Sequence, residues 1–302
     1  MFKSFINEYQ EKQLGQLLEN EKLSKHTTFR VGGPARILVI PKSKESLFET
    51  IELVNKHKLL FKVIGKGSNL LASDDLFEGV VIKCDKSLGY VEFEDNFIRV
   101  GAGVSTIALA TKAAKKHLTG LEFISGIPGS VGGAIHMNAG AYNEEIKDVL
   151  IKALILDEHG NQIWLTNEEL EFGYRTSIMQ KKQNWIIVEA ILKLEYGEYE
   201  EIMELMKARR TRRKESQPWD MPSAGSTFRN PLPHASWKLI EEAGLRGMCV
   251  GGAEVSSKHC NFVVNKGNAT ATDVYELIKQ VQTIVYEKYG VELHLEVEMF
   301  NW

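Results

Sequence analysis

The sequence predicts an α+β protein in two parts, with parallel strands in the first. Three observations predict it. "RILVIP" (36–41) reads as a buried strand, "SKESLFETIELVNKHKL" as a helix and "FKVIG" (61–65) as a second strand, and a β-α-β unit implies parallel pairing. The β-rich texture then runs to about residue 196, where a long charged helix, "EYEEIMELMKARRTRRKES", takes over. Beyond it lie a helix, "DVYELIKQVQTIVYEKYG" (273–290), and an alternating segment, "VELHLEVEMF".

Taken in order, residues 1–24 read as an amphipathic leader helix. In the next helix Leu47, Ile51 and Val54 fall on one face at helical spacing. "GVVIKC" and "FIRVGAG" continue as strands, and "STIALATKAAKKH" (105–117) as a helix opened by Ser105. Regular patterning dissolves between 120 and 140. "IKALILDEHGNQIWL" is strand-like and bent at His159-Gly160-Asn161, and "NWIIVEAILKLEY" is a further strand. The 273–290 helix puts Val274, Leu277, Ile278, Val281, Ile284 and Val285 on one face. Asp273 and Glu276 have capping-box spacing, and Gly290 is a natural stop. In the last segment Val291, Leu293, Leu295, Val297 and Met299 alternate with Glu292, His294, Glu296 and Glu298, as in a strand with one open face. The expected organisation is a leader helix over 1–24, a first domain over 25–196 and a second over 197–302.

Composition narrows the function classes. A chain of 302 residues with 43% hydrophobic and 25% charged residues is ordinary for a soluble globular protein. A net charge of -3 argues against bulk nucleic-acid binding. Cys84, Cys249 and Cys260 are far apart, odd in number and form no CxxC pair, which predicts neither a zinc site nor a disulfide frame and fits a reducing cytoplasm. The N-terminus lacks the apolar region of a signal peptide, and no apolar run approaches the ~20 residues of a membrane helix.

Three glycine-rich loops follow strands: "GKGSN" (65–69), "GAG" (101–103) and "SGIPGSVGGAIHMNAG" (125–140). Glycine permits positive φ and close backbone approach, so successive N–H groups can converge on an anion. Neither the P-loop nor the G-x-G-x-x-G fingerprint is satisfied. One such loop is ordinarily a tight turn; three together point to a large bound nucleotide. "SAGSTFRNP" places Ser226 directly after a glycine, where it can be a nucleophile, a phosphate contact, a proton donor or a turn residue. "AGSTF" is not the hydrolase elbow G-x-S-x-G. His136 has no second ligand at metal spacing and is assigned no catalysis.

"GKGSNLL", "LEFISGIPGSVGGAIHMNAGAY", "FGYRTS" and "SAGSTFRNP", in this order, resemble the UDP-N-acetylenolpyruvoylglucosamine reductase family of peptidoglycan synthesis, in its compact type. The likeness runs from "LSKHTTFRVGGPA" to "LHLEVEMF", nearly the whole chain. It implies a two-lobed FAD-binding domain of the vanillyl-alcohol-oxidase (PCMH) type followed by an α+β substrate domain. By the same resemblance Gly65, Gly67, Ser68, Asn69 and Leu70 belong to the cofactor loop around the pyrophosphate. Ser125, Gly126, Ile127, Pro128, Gly129 and Gly133 hold the rest of the dinucleotide, and Asn138, Ala139 and Gly140 lie near the flavin ring.

The reaction the resemblance implies is reduction of UDP-N-acetylglucosamine enolpyruvate, with NADPH as hydride donor and flavin N5 as relay. Negative charge then develops at C2 and in the adjacent carboxylate, which calls for a cation and an acid. Arg175 in "FGYRTS" matches the family's catalytic arginine, and its permanently charged fork suits a carboxylate. Ser226 matches the proton donor to C2, and Glu296 the glutamate that completes the clamp. Lys214 and Asn230 match contacts to the UDP-sugar, whose diphosphate needs cations. The basic run "KARRTRRK" (207–214) otherwise reads as a solvated helix end. One departure stands out: Glu298 occupies a position where the family commonly has Arg. The competing readings are another FAD-linked oxidase of the same fold and a UDP-sugar or FAD-binding paralogue of low or no activity.

Overall fold

The computed structural model describes residues 1–84, 88–182 and 184–302, and within them the chain divides into two interleaved units. The first comprises Met1–Glu21, Ala35–Lys66 and Glu78–Thr211; the second comprises Lys22–Pro34, Gly67–Phe77 and Arg212–Trp302. The division therefore falls inside the charged helix, which spans Tyr199–Ser216, rather than at 196, and the second unit also recruits two segments from the N-terminal third.

The first unit holds two sheets. One orders its strands Gly15–Lys22, Pro34–Pro41, Phe77–Lys83 and Phe61–Ile64. Phe61–Ile64 pairs with Phe77–Lys83 in parallel, as the β-α-β pattern implies, but Phe77–Lys83 lies between the two strands that the helix Lys44–Lys56 joins. That helix is capped by Ser43, which accepts from the N–H of Ser46, and it buries Leu47, Ile51 and Val54 as its spacing predicts. The leader is corrected. Its helix covers only Phe2–Glu11, and Gly15–Lys22 is a strand at the sheet edge. The cause is at Gly15, where a Cβ would stand 2.1 Å from the carbonyl oxygen of Ile40; only glycine lets the chain press against the neighbouring strand there. Helix-forming Gln, Leu, Glu and Lys side chains in the strand mask that tertiary pairing.

The second sheet is antiparallel and orders Gln162–Thr166, Leu150–Leu156, Ile186–Lys193, Phe97–Gly101 and Val91–Glu94. Its central strands are covered on both faces. Ala153, Ile155, Ile187 and Ala190 enter one hydrophobic cluster, while Leu154, Leu156, Ile186 and Val188 enter another. Double burial explains why "KALIL" and "WIIVEAIL" are continuous apolar runs. The 105–117 helix is shorter than its pattern, Thr106–Ala114, with Ser105 at the N-cap position.

The second unit is built on the helix Ala271–Tyr289, whose Val274, Leu277, Ile278, Val281 and Val285 are buried against a three-stranded antiparallel sheet and the segments around it. Each such side chain contributes ~1.5–3 kcal/mol when fully buried. Gly290 ends the helix in the left-handed conformation, φ 66°. The capping box is one turn earlier than its spacing suggested: the Thr270 hydroxyl accepts from the Asp273 N–H at 3.0 Å, and the Asp273 carboxylate accepts from the Thr270 N–H at 2.9 Å. The alternating segment is not one strand. Leu295 bridges antiparallel to Phe228, the chain bends at Val297, and Glu298–Phe300 pairs in parallel with Leu70–Ala72. Two short partners on different segments of the unit split the run that periodicity alone joins.

Candidate active site

In the first unit the glycine-rich segments at Gly65, 102–104 and 130–132 approach one another. The N–H groups of Val131 and Gly132 donate to the carbonyls of Val104 and Ala102, both at 2.9 Å. The Thr106 hydroxyl donates to the carbonyl of Ile127 at 2.6 Å, closing the 125–130 loop over the start of its helix. Ser130 caps the short helix Val131–His136 by accepting from the Gly133 N–H. Glycine makes these approaches close: a Cβ on Gly65 would stand 2.4 Å from Ser130 Oγ, and one on Gly132 3.0 Å from Ala102 Cβ. The result is a surface of main chain and small side chains, the kind of lining a dinucleotide needs.

Two cofactor candidates are tied down more than their motif suggests. Asn138 is fully buried; its Nδ2 donates to Glu145 Oε2 and to the Gly173 carbonyl, both at 3.0 Å, and its Oδ1 accepts from the Lys147 N–H at 3.1 Å. Ser125 is also buried, with its hydroxyl on the Glu122 carbonyl at 2.7 Å. Both side chains shape the loop from within.

Arg175 stands at the tip of a tight turn closed by reciprocal bonds between Gly173 and Thr176. Its φ of 56° is left-handed, a conformation that costs a non-glycine residue ~1 kcal/mol or more. Surrounding contacts hold it there. The Ser177 hydroxyl donates to the His136 carbonyl at 2.7 Å, Gln180 Nε2 to the Arg175 carbonyl at 3.1 Å, and Arg175 Nη2 to the Gly140 carbonyl at 2.7 Å. Glu145 lies 3.7 Å from the guanidinium, which packs over the Tyr174 ring. The turn thus brings Arg175 beside Ala139 and Gly140.

In the second unit three chain segments form a closed set of hydrogen bonds. Thr28 joins the first two: its N–H donates to the Gly67 carbonyl at 3.0 Å and its hydroxyl to the Ser223 carbonyl at 2.7 Å. The N–H of Glu296 donates to the Thr227 carbonyl at 2.9 Å. Asn69 Nδ2 donates to the Glu296 carbonyl at 3.0 Å, and the Glu298 N–H to the Asn69 carbonyl at 2.9 Å. Ser226 and Glu296 are therefore held by adjacent main chain, both half-buried, with Asn69 bracing Glu296 from the other side. Gly67 adopts φ 61° with space for no side chain, a Cβ falling 2.3 Å from the His26 carbonyl oxygen. Gly225 differs: its φ of 79° needs glycine, but nothing lies within 4 Å of its missing Cβ, so its contribution is conformation rather than clearance.

Comparison with known proteins identifies this arrangement. A model of the FAD binding domain matches residues 35–166, and one of the UDP-N-acetylenolpyruvoylglucosamine reductase C-terminal domain matches 217–300. The UDP-N-acetylenolpyruvoylglucosamine reductase of Bacillus licheniformis is 51% identical over 98% of both chains. The chain belongs to the UDP-N-acetylenolpyruvoylglucosamine reductase family. The Bacillus subtilis member is 47% identical over 98% of both chains. The crystal structure of the Thermus caldophilus member superposes with a TM-score of 0.80 at 36% identity, covering 95% of this chain and 98% of that one. As a member of this family the chain is an FAD-dependent oxidoreductase, and the glycine-lined loops fit that cofactor.

Family membership gives the basic run a different meaning from a solvated helix end. Arg209 pairs with Glu144 at 2.6 Å and stacks over Tyr142, whose hydroxyl returns to the Arg209 carbonyl at 3.1 Å. Arg210 Nε donates to the Ser125 carbonyl at 3.1 Å. The helix thus braces the segments around Ser125 and Tyr142, a tertiary role its charge pattern did not announce. Lys214 is exposed near the end of the same helix. Asn230 is exposed too, and its Oδ1 accepts from the Ser236 N–H at 3.0 Å, satisfying the start of the helix Ser236–Glu242. The Glu298 N–H donates to the Asn69 carbonyl, a backbone bond that any side chain permits. Thr28 and Asn261 escape motif reading: Asn261 Nδ2 donates to the Phe228 carbonyl at 2.8 Å and its Oδ1 accepts from the Phe228 N–H at 3.0 Å. Their only signal is a polar residue inside an apolar or turn-like stretch. Among the described residues no helix is long and apolar enough to cross a membrane.

Proposed function

We propose that the chain reduces the enolpyruvyl double bond of UDP-N-acetylglucosamine enolpyruvate, using NADPH, to give UDP-N-acetylmuramate for peptidoglycan synthesis in the cytoplasm. The observation that carries this reading is the bond from the Glu296 N–H to the Thr227 carbonyl, which fixes a hydroxyl and a carboxyl on neighbouring main chain. The UDP-N-acetylenolpyruvoylglucosamine reductases of Bacillus licheniformis and Bacillus subtilis, similar over 98% of both chains, support the same substrate. FAD, held by the main chain around Gly65 and of the 125–133 loop, would supply the hydride-transfer chemistry between NADPH and the enolpyruvyl group.

Arg175 receives the substrate carboxylate, where charge accumulates as C3 gains hydride; its planar guanidinium suits a carboxylate and is preset by Gly140. Ser226 gives its proton to C2. A serine hydroxyl is a poor acid, so the transfer needs polar groups that stabilise the alkoxide it leaves, and water returns the proton to Ser226 after turnover. Glu296 completes the clamp, its position set by Thr227 and Asn69. Asn230 and Lys214 contact the UDP-sugar, Lys214 as a cation for the diphosphate. The test is spectroscopic. Under nitrogen NADPH should bleach the flavin of the purified protein, and the enolpyruvyl nucleotide-sugar should restore its colour with formation of one equivalent of the lactyl ether. Bleached flavin that the nucleotide-sugar leaves colourless would refute the assignment.

A further inference from the structure

Lys214 sits four residues before Pro218, and this spacing leaves its carbonyl without a helical donor. In an α-helix the carbonyl of Lys214 pairs with the N–H of residue 218, which proline lacks. The preceding bond is intact, with the Gln217 N–H on the Arg213 carbonyl at 2.8 Å; the next is lost, because the Trp219 N–H turns back to the Gln217 carbonyl at 2.9 Å. The helix carrying Lys214 therefore ends on an unmet acceptor, and Lys258 meets it, its Nζ donating to the Lys214 carbonyl oxygen.

Lys258 is itself anchored. It lies in the turn Ser256–Cys260, where the Ser256 hydroxyl accepts from the Lys258 N–H at 3.1 Å and from the His259 N–H at 3.4 Å, and Ser256 is buried. The turn precedes the strand Val263–Asn265, whose Val263 N–H donates to the Thr227 hydroxyl at 3.2 Å. A rigid connection thus runs from the Ser226 segment, through the 256–263 turn, to the helix end bearing Lys214. We infer that Lys258 is a positioning residue for nucleotide-sugar binding: it fixes the last turn of the helix so that the Lys214 ammonium is held for the diphosphate. The inference rests on the reading of Lys214 as a substrate contact.

The experiment is a double-mutant cycle on the FAD-loaded full chain, measuring KM for the enolpyruvyl nucleotide-sugar, kcat, and the Kd of UDP by calorimetry. K258M keeps the aliphatic stem but removes the donor; K258R keeps a donor. K258M should raise KM and the UDP Kd by about 3- to 10-fold, the usual range for one ordinary hydrogen bond at an exposed position, with kcat within about twofold. K258R should recover most of the loss. K214M should raise KM at least as much, and the K214M/K258M double variant should be little worse than K214M, because Lys258 acts through Lys214. If K214M raises KM while K258M leaves it unchanged, or if the two losses multiply, the positioning role is overturned and the substrate contact stands. If K214M leaves both constants unchanged, the contact falls and the positioning role with it.

Discussion

The N–H of Glu296 donates to the carbonyl of Thr227 at 2.9 Å, although 68 residues separate them in the chain, so that the residue after Ser226 and the proposed clamp glutamate share one hydrogen bond.

Ser226→Ala should fold normally, since the hydroxyl is half-buried and the neighbouring backbone bonds do not use it. Flavin bleaching by NADPH should persist. Turnover of the enolpyruvyl nucleotide-sugar should fall by about 10²–10⁴-fold, the usual contribution of a positioned proton donor. Rapid-mixing measurement of the two half-reactions separates them; an unchanged second half-reaction removes Ser226 from the chemistry.

Asn261→Ala tests the support behind Ser226. Asn261 is 5% exposed and satisfies both the N–H and the carbonyl of Phe228. Its loss leaves buried polar backbone unmet and should cost about 2–3 kcal/mol of stability by thermal or urea unfolding. With the 226–228 segment released, kcat should drop at least about tenfold while flavin content stays near one per chain. A variant as active as the parent would show that Ser226 is placed by other contacts.

Gly67→Ala and Gly225→Ala form a pair. Both glycines have positive φ, but only Gly67 also faces a close main-chain contact, 2.3 Å from the His26 carbonyl oxygen. Gly225→Ala should cost about 1 kcal/mol from conformation alone. Gly67→Ala should cost more, at least about 2 kcal/mol, and should purify with little flavin. Equal flavin content in the two variants would count against the 65–69 loop as part of the cofactor cradle.

Glu189 predicts an acid-sensitive term in stability. Its side chain is 0% exposed, with Lys44 Nζ at 3.1 Å and Arg99 Nη2 at 2.9 Å, and the Tyr90 hydroxyl donates to it. Burial alone would raise its pKa; the bonds from Tyr90, Lys44 and Arg99 outweigh burial and hold it below the ordinary glutamate value. A depressed carboxyl contributes stability that is present above its unfolded pKa, about 4.3, and is lost as pH falls through the folded one. Glu189→Gln should lower stability by about 3 kcal/mol at neutral pH. The difference in Tm between the two proteins should shrink as the solution is acidified below that range; a constant gap would mean that charge is not its source.

Much of this was legible in the chain. The faces of the helices around Leu47 and Leu277 follow from spacing, and continuous apolar runs such as "WIIVEAIL" mark strands covered on both sides. The glycine-rich loops and the ordered motifs around Arg175 and Ser226 indicate the family, because close backbone approach leaves no choice of residue. Other features were not legible. Residues 15–22 look helical yet pair as an edge strand, since what decides them is contact with the Ile40 backbone. The alternation over 291–299 promises one strand and yields two fragments, since two different segments supply the partners.

The sequence by itself determined which residues are available for chemistry: a charged guanidinium, a hydroxyl after a flexible glycine, a carboxyl in an apolar run and loops free of side chains. Only the tertiary structure decided which of them meet. Within one unit it joined Thr28, Asn69, Thr227 and Glu296, and within the other it bent Arg175 into a left-handed turn beside Gly140. The reason is that local pattern encodes burial and backbone freedom, whereas these bonds link segments far apart in the chain and carry no periodic signal.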